Sequence, residues 1–163
     1  MELREFIDAV ENSSLKMKDY KKYFIINQSL YTNEIISAIE EISMDKKEII
    51  LEYLLNIAEQ DGLNKSYTHI FCKLLEQDWH DWHEDIIMHL EIIKDPDSVD
   101  CIYNASFKTK EYDDGKSLAK KCIWALGAIN TSKSYEKIEL LTHSSNPIIK
   151  EVALMQLNHN KAK

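Results

Sequence analysis

The segment Trp79-His80-Asp81-Trp82-His83-Glu84-Asp85 gathers the densest set of chemically capable side chains in the sequence. His80 and His83 stand three residues apart, so on one helix they would share a face, and Asp81 or Glu84 could complete a metal site. A zinc site needs three protein ligands in fixed geometry, and no Cys-x-x-Cys or distant His pair supplies the rest. The hydrophobic register described below also starts the helix near Trp82, which leaves His80 in the preceding turn. No metal is therefore expected. The reading is structural at the base, with Asp78 or Asp81 capping the helix and Trp79 bridging repeats. At the surface it is a polar, aromatic binding rim of Asp78, Trp79, His80, Asp81, His83, Glu84 and Asp85.

A second group, Tyr112-Asp113-Asp114, precedes Gly115 and a helical pattern. Two carboxylates there suit the positive end of the helix and can accept its free amides. Asp114 lies 36 residues after Asp78, so acidic residues recur at equivalent helix starts, and capping explains both. General acid–base chemistry would need a nucleophile or a pocket that raises one carboxyl, and neither is visible nearby. Lys116, Lys120 and Lys121 could touch phosphate, but they also offset Glu111, Asp113 and Asp114 on a solvated face. There is no phosphate loop, no Gly-x-Ser-x-Gly, no His-Glu-x-x-His and no Cys-x-x-Cys. No catalytic residue and no cofactor is expected.

Charge narrows the partners. Twenty-eight Asp and Glu face 20 Lys and Arg, a formal net charge of -8. Nucleic-acid affinity comes largely from basic groups neutralising phosphates, so this balance disfavours DNA or RNA and suits a basic protein. No apolar run approaches the ~20 residues of a spanning helix, and Met1-Glu2-Leu3-Arg4-Glu5 does not open like a signal peptide. A cytoplasmic chain with no membrane contact is expected. Cys72, Cys101 and Cys122 are odd in number, widely spaced and placed on apolar helix faces, which reads as reduced core residues.

The elements that position these groups are helical. Apolar residues make up 44% of the 163-residue chain, charged residues 29%, and Gly and Pro together number five. So few breakers favour long helices with short connections. One hydrophobic unit then recurs in phase. Trp82, Ile86, Ile87, Leu90 and Ile93 are followed 36 residues later by Leu118, Cys122, Ile123, Leu126 and Ile129. Ile149, Ala153, Leu154 and Leu157 come 31 residues after Leu118, Cys122, Ile123 and Leu126. Asp95-Pro96 falls on Thr131-Ser132 and Ile102 on Ile138, which carries the match into a second helix. A period in the thirties built as helix, break and helix signals an α-solenoid, whose units cannot bury their faces alone.

Upstream, Leu3, Phe6, Ile7 and Val10 predict a short opening helix, and residues 15–27 leave helix and strand open. Thr32 is expected to cap a helix carrying Ile35, Ile36, Ile39 and Ile42. From Asp45 the repeat pattern begins, with Ile49, Ile50, Tyr53, Leu54 and Ile57 on one face, then a stop at Asp61-Gly62. Asn64 is the next cap, before Tyr67, Ile70, Phe71, Leu74 and Leu75. The expected organisation is a single all-α domain over 1–163, a less regular helical cap at 1–44 followed by stacked antiparallel helix pairs at 45–163.

Two stretches carry a family resemblance. Leu118-Ala119-Lys120-Lys121-Cys122-Ile123-Trp124-Ala125-Leu126-Gly127-Ala128-Ile129 resembles the first helix of a short-loop bacterial HEAT repeat, ending in Ala-Leu-Gly. Ser145-Asn146-Pro147-Ile148-Ile149-Lys150-Glu151-Val152-Ala153 resembles the start of the next one. The resemblance implies a HEAT-like α-solenoid from Asp45 onward. Small, acidic helical solenoids without catalytic motifs are in turn similar to immunity proteins of contact-dependent growth inhibition and related polymorphic toxin systems. That similarity implies a 1:1 complex with a cognate toxin domain, often a basic nuclease, whose active site is covered. Asp78, Asp81, Glu84, Asp85, Asp113 and Asp114 would steer it, while Trp79 and Tyr112 anchor it. Two alternatives come from other classes: a HEAT-like alkylpurine DNA glycosylase, which needs a basic channel, and a HEAT-type assembly or lyase-like scaffold.

Overall fold

Apolar spacings of three and four become helix throughout. The computed structural model describes residues 1–109, 111 and 113–161, without the side chains of 160 and 161. Among the described residues there are ten α-helices, three short 3-10 turns and no strand. The chain divides into two compact units, Met1–Ile70 and Phe71–Lys163.

The first unit holds α1 (Leu3–Glu11), α2 (Tyr20–Tyr23), α3 (Thr32–Asp45) and α4 (Glu48–Asp61). In α1, Leu3, Phe6, Ile7 and Val10 are buried on one face, and Glu5 accepts the Glu2 amide at 2.8 Å to secure the first turn. The ambiguous stretch after it resolves as the single helical turn of α2. There Tyr20 stacks on Phe24 at 4.6 Å, and Phe6 meets both rings edge-on. In α4 the buried stripe is Ile50, Leu51, Leu54, Leu55, Ile57 and Ala58. Ile49 is 66% exposed, which corrects the expected face by about one position.

Thr32 is a further correction. The cap position of α3 belongs to Tyr31, and Thr32 is the first helical residue. Its hydroxyl donates to Asp61 Oδ2 at 3.2 Å and receives the Asn64 amide at 3.0 Å. Asp61 is fully buried and also accepts the Tyr31 N–H at 3.1 Å. A buried carboxylate must be hydrogen-bonded to be tolerated, so this network fixes the loop before α3 to the end of α4. Gly62 continues it at φ 116, in the half of backbone space that favours glycine, and its carbonyl accepts the Ser29 hydroxyl at 2.9 Å.

Helix α5 (Thr68–Leu75) spans the boundary between the units. The second unit then runs α6 (His83–Ile93), α7 (Val99–Ala105), α8 (Ser117–Ile129), α9 (Ser132–Leu141) and α10 (Pro147–Lys161). Helix α8 packs against α6, α7, α9 and α10, while α9 also meets α7 and α10. The boundaries of successive elements repeat chemically. Asn64, Asp95 and Thr131, spaced by 31 and then 36 residues, each accept a backbone amide at the start of a second helix or its leading 3-10 turn. Lys94 and Asn130, also 36 apart, both close a first helix in the left-handed conformation.

The repeating stripe is buried at its centre and opens at its ends. Ile86, Ile87, Leu90, Cys122, Ile123, Leu126 and Ala153 are fully buried. Trp82, Ile93, Ile149 and Leu157 are only half-buried, and Leu154 is 43% exposed. Trp82 thus lies at the margin of the core, not within it. The cysteines also depart from expectation, because Cys72 on α5 and Cys101 on α7 form a disulfide across a Cα–Cα distance of 5.5 Å. Their 29-residue separation in sequence does not reveal that α5 and α7 bring them within bonding range. Cys122 alone is a free, buried thiol.

Candidate functional site

His80 and His83 are interior groups. They are 2% and 1% exposed, and their rings stack at 4.6 Å. His80 Nδ1 accepts the Trp82 N–H at 3.1 Å, which requires its Nε2 to carry the proton donated to the Leu74 carbonyl, also at 3.1 Å. His83 Nε2 bonds the Gln77 carbonyl at 2.7 Å. The pair therefore ties the carboxyl end of α5 and the following turn to the start of α6. Neither ring belongs to an exposed rim, which corrects their place among the partner-binding candidates. Among the described residues, no three His, Cys, Asp or Glu side chains gather as a metal site requires.

Asp113 is interior as well. At 8% exposure its carboxylate accepts the N–H groups of Ser117 and Leu118 at 2.6 and 3.3 Å, capping α8. It satisfies amides that the helix leaves without intrahelical partners. Asp114, the residue in phase with Asp78, is exposed and the capping work falls to its neighbour. The N-cap position of α6 is Trp82, not Asp78 or Asp81, and the Trp82 side chain makes no cap bond. Tyr112 lies outside the described residues.

The remaining candidates are at the surface, and two ion pairs bring their segments together. Asp78, in the connection before α6, pairs with Lys108, in the connection before α8, at 2.5 Å. One turn further on, Glu84 of α6 meets Lys121 of α8 at 2.7 Å. Asp81 and Asp85 are exposed on the same margin, and half-buried Trp79 packs edge-on against His80 at 4.9 Å. Trp79 Nε1 also donates to Gln77 Oε1. The exposed part of the site is thus acidic, with two of its carboxylates held by lysines.

Beyond the Glu84–Lys121 pair lies a feature missed by reading residue types alone. Met88, Trp124 and Met155 are 45%, 47% and 63% exposed. They occupy equivalent positions on α6, α8 and α10, since 36 residues separate the first two and 31 the last two. Met88 is four residues past Glu84, and Trp124 three past Lys121, so each shares a helix face with one member of the ion pair. The repeat arithmetic that defined the core stripe also puts these three exposed side chains in phase along the sequence. Attention to buried positions hides them.

Electrostatics elsewhere in the second unit is structural. Hydrogen bonding to Lys133 holds the Asp100 carboxyl below its ordinary range, with Lys137 adding to the effect from 3.5 Å. These pairs join α7 to α9, and Lys137 also lies 4.7 Å over the Tyr103 ring. Burial pushes the Cys122 thiol well up, which makes it a poor nucleophile. No family model matches the chain, and no curated protein or solved structure matches it either.

Proposed function

We propose that this chain is a protein-binding immunity protein, a short HEAT-like solenoid that neutralises a basic toxin domain by covering its active site. The observation that carries the reading is the exposure of Met88, Trp124 and Met155, in phase on α6, α8 and α10, with exposed Asp85 three residues before Met88 and the Glu84–Lys121 pair joining α6 to α8. Exposed Trp and Met on adjoining helices are the composition of a protein interface core, and the surrounding carboxylates favour encounter with a basic surface. The solenoid part of the proposal is supported by α8 packing on both other first helices, α6 and α10, while the second helices α7 and α9 also pack together. The absence of a spanning helix among the described residues is compatible with a cytoplasmic site of action. In that compartment the Cys72–Cys101 pair would be kept reduced.

The test uses the product of the gene adjacent to this one. Its purified toxin domain should lose nuclease activity on addition of an equimolar amount of this chain, and the two should elute as a 1:1 complex. Undiminished nuclease activity at stoichiometric excess would reject the proposal. A gel shift with duplex DNA serves as the companion measurement, and the net charge of -8 predicts no retardation at physiological salt.

A further inference from the structure

The first unit carries a cavity of about 520 Å³ that is apolar at its base and acidic around its rim. Its base is built from three pairs, each four residues apart: Leu3 and Ile7 of α1, Ala38 and Ile42 of α3, Ile50 and Leu54 of α4. Around it stand five carboxylates, among them Asp8, Glu11 and Glu34, against the two cations Arg4 and Lys47. Arg4 is already engaged, since its guanidinium pairs with Glu41 and joins α1 to α3 at the surface. The unsatisfied balance is therefore negative. A free surface of this composition attracts a ligand that is apolar on one side and cationic on its flanks.

We infer that this groove docks an amphipathic helix whose apolar pair at i and i+4 enters the cavity while Lys or Arg side chains reach Asp8, Glu11 and Glu34. The geometry favours a helix over an extended peptide. Residues four apart on a helix are about 6 Å apart along its axis, so the three pairs at the base lie at the spacing of a helical ridge and suit the matching pair of a fourth helix. The volume falls in the range of a small-ligand cleft, which accommodates a pair of anchoring side chains and not a broad protein face. Docking an apolar helix stripe into such a groove is an established recognition mode. This inference goes beyond the toxin reading, because it concerns the first unit alone and names a ligand chemistry that any basic partner could supply.

The experiment titrates the full chain into fluorescently labelled helical peptides of about 18 residues, five turns long. One peptide carries a Leu pair at i and i+4 with Lys flanks, a second replaces Lys by Glu, and a third replaces Leu by Ser. The Leu/Lys peptide should bind at least about tenfold more tightly than either control. Ala38→Trp, which fills the cavity, should weaken it by about tenfold, and Glu34→Lys, an exposed change that leaves the core intact, by about fivefold. Circular dichroism of both variants should match the parent chain. Equal binding of the Ser/Lys peptide would reduce the effect to general attraction by an acidic protein and overturn the inference. So would retention of full affinity in Glu34→Lys, or displacement of the peptide by spermidine at comparable concentration, which would assign the groove to small polyamines.

Discussion

Asp113 shows how a carboxylate chosen for its chemistry can be committed to the backbone. Its two oxygens take the Ser117 and Leu118 amides, so Asp113→Ala should lower stability by about 1 kcal/mol, read as a lower midpoint in thermal unfolding. Alkaline pH should act on a different set. Burial raises the phenols of Tyr20 and Tyr67 above their ordinary 10.0, and the Cys122 thiol above 9.0. The unfolded chain then releases protons that the folded chain retains, so stability holds below about pH 9 and declines as pH rises past 10. A melting series from pH 7 to 11 checks this, and a flat profile above pH 10 would contradict it. Thiol counting offers a simpler check: protein exposed to air and then denatured without reductant should titrate a single free thiol, that of Cys122, because Cys72 and Cys101 are close enough to join. The histidine pair shows what residue types alone could not disclose. Their i, i+3 spacing is visible in sequence, but their burial depends on the Leu74 and Gln77 carbonyls being folded back over them.

At the scale of elements, apolar periodicity is most informative where several helices enclose one. Helix α8 is the clearest instance. Leu126 is fully buried, so Leu126→Ala should cost about 2 to 5 kcal/mol, whereas Leu154→Ala, at the 43%-exposed equivalent on α10, should cost about 1 kcal/mol or less. Equal costs at the two positions, measured by urea unfolding, would mean that the repeated stripe is not differentially packed. Helix existence and the Asn64 cap are legible because capping chemistry and apolar spacing are local, and the in-phase alignment of Asp95 with Thr131 marks two further boundaries that the structure shows to be caps. The α4 face is shifted because Ile49 and Tyr53 are as apolar as the residues that turn inward, and composition cannot choose between adjacent stripes. The Cys72–Cys101 bond is illegible for the opposite reason: it depends on where α5 and α7 meet, which no local pattern encodes.

For the whole molecule, the boundary after Ile70 leaves no trace in composition. The apolar spacing runs from Tyr67 through Ile70 and Phe71 to Leu74 without a Gly, Pro or Ser cluster to interrupt it. The negative charge, by contrast, is fully legible and makes a global prediction. Association with a basic partner should weaken as salt rises from 50 to 500 mM, mainly through slower association, because a shorter Debye length screens the exposed carboxylates. Affinity unchanged across that range would remove electrostatic steering from the account. Met88, Trp124 and Met155 draw on both scales, since their phase is read from the sequence and their exposure is set by helix packing.

The most direct test exploits the oxidisable chemistry of these three side chains. Hydroxyl-radical footprinting of the free chain and of its complex with the proposed toxin partner, read by peptide mass spectrometry, reports the solvent access of Met88, Trp124 and Met155 individually. Oxidation of all three should fall several-fold in the complex while exposed Met44, in the first unit, remains a reference. Undiminished oxidation of Met88 and Trp124 in a formed complex would contradict the assignment of this face to partner binding.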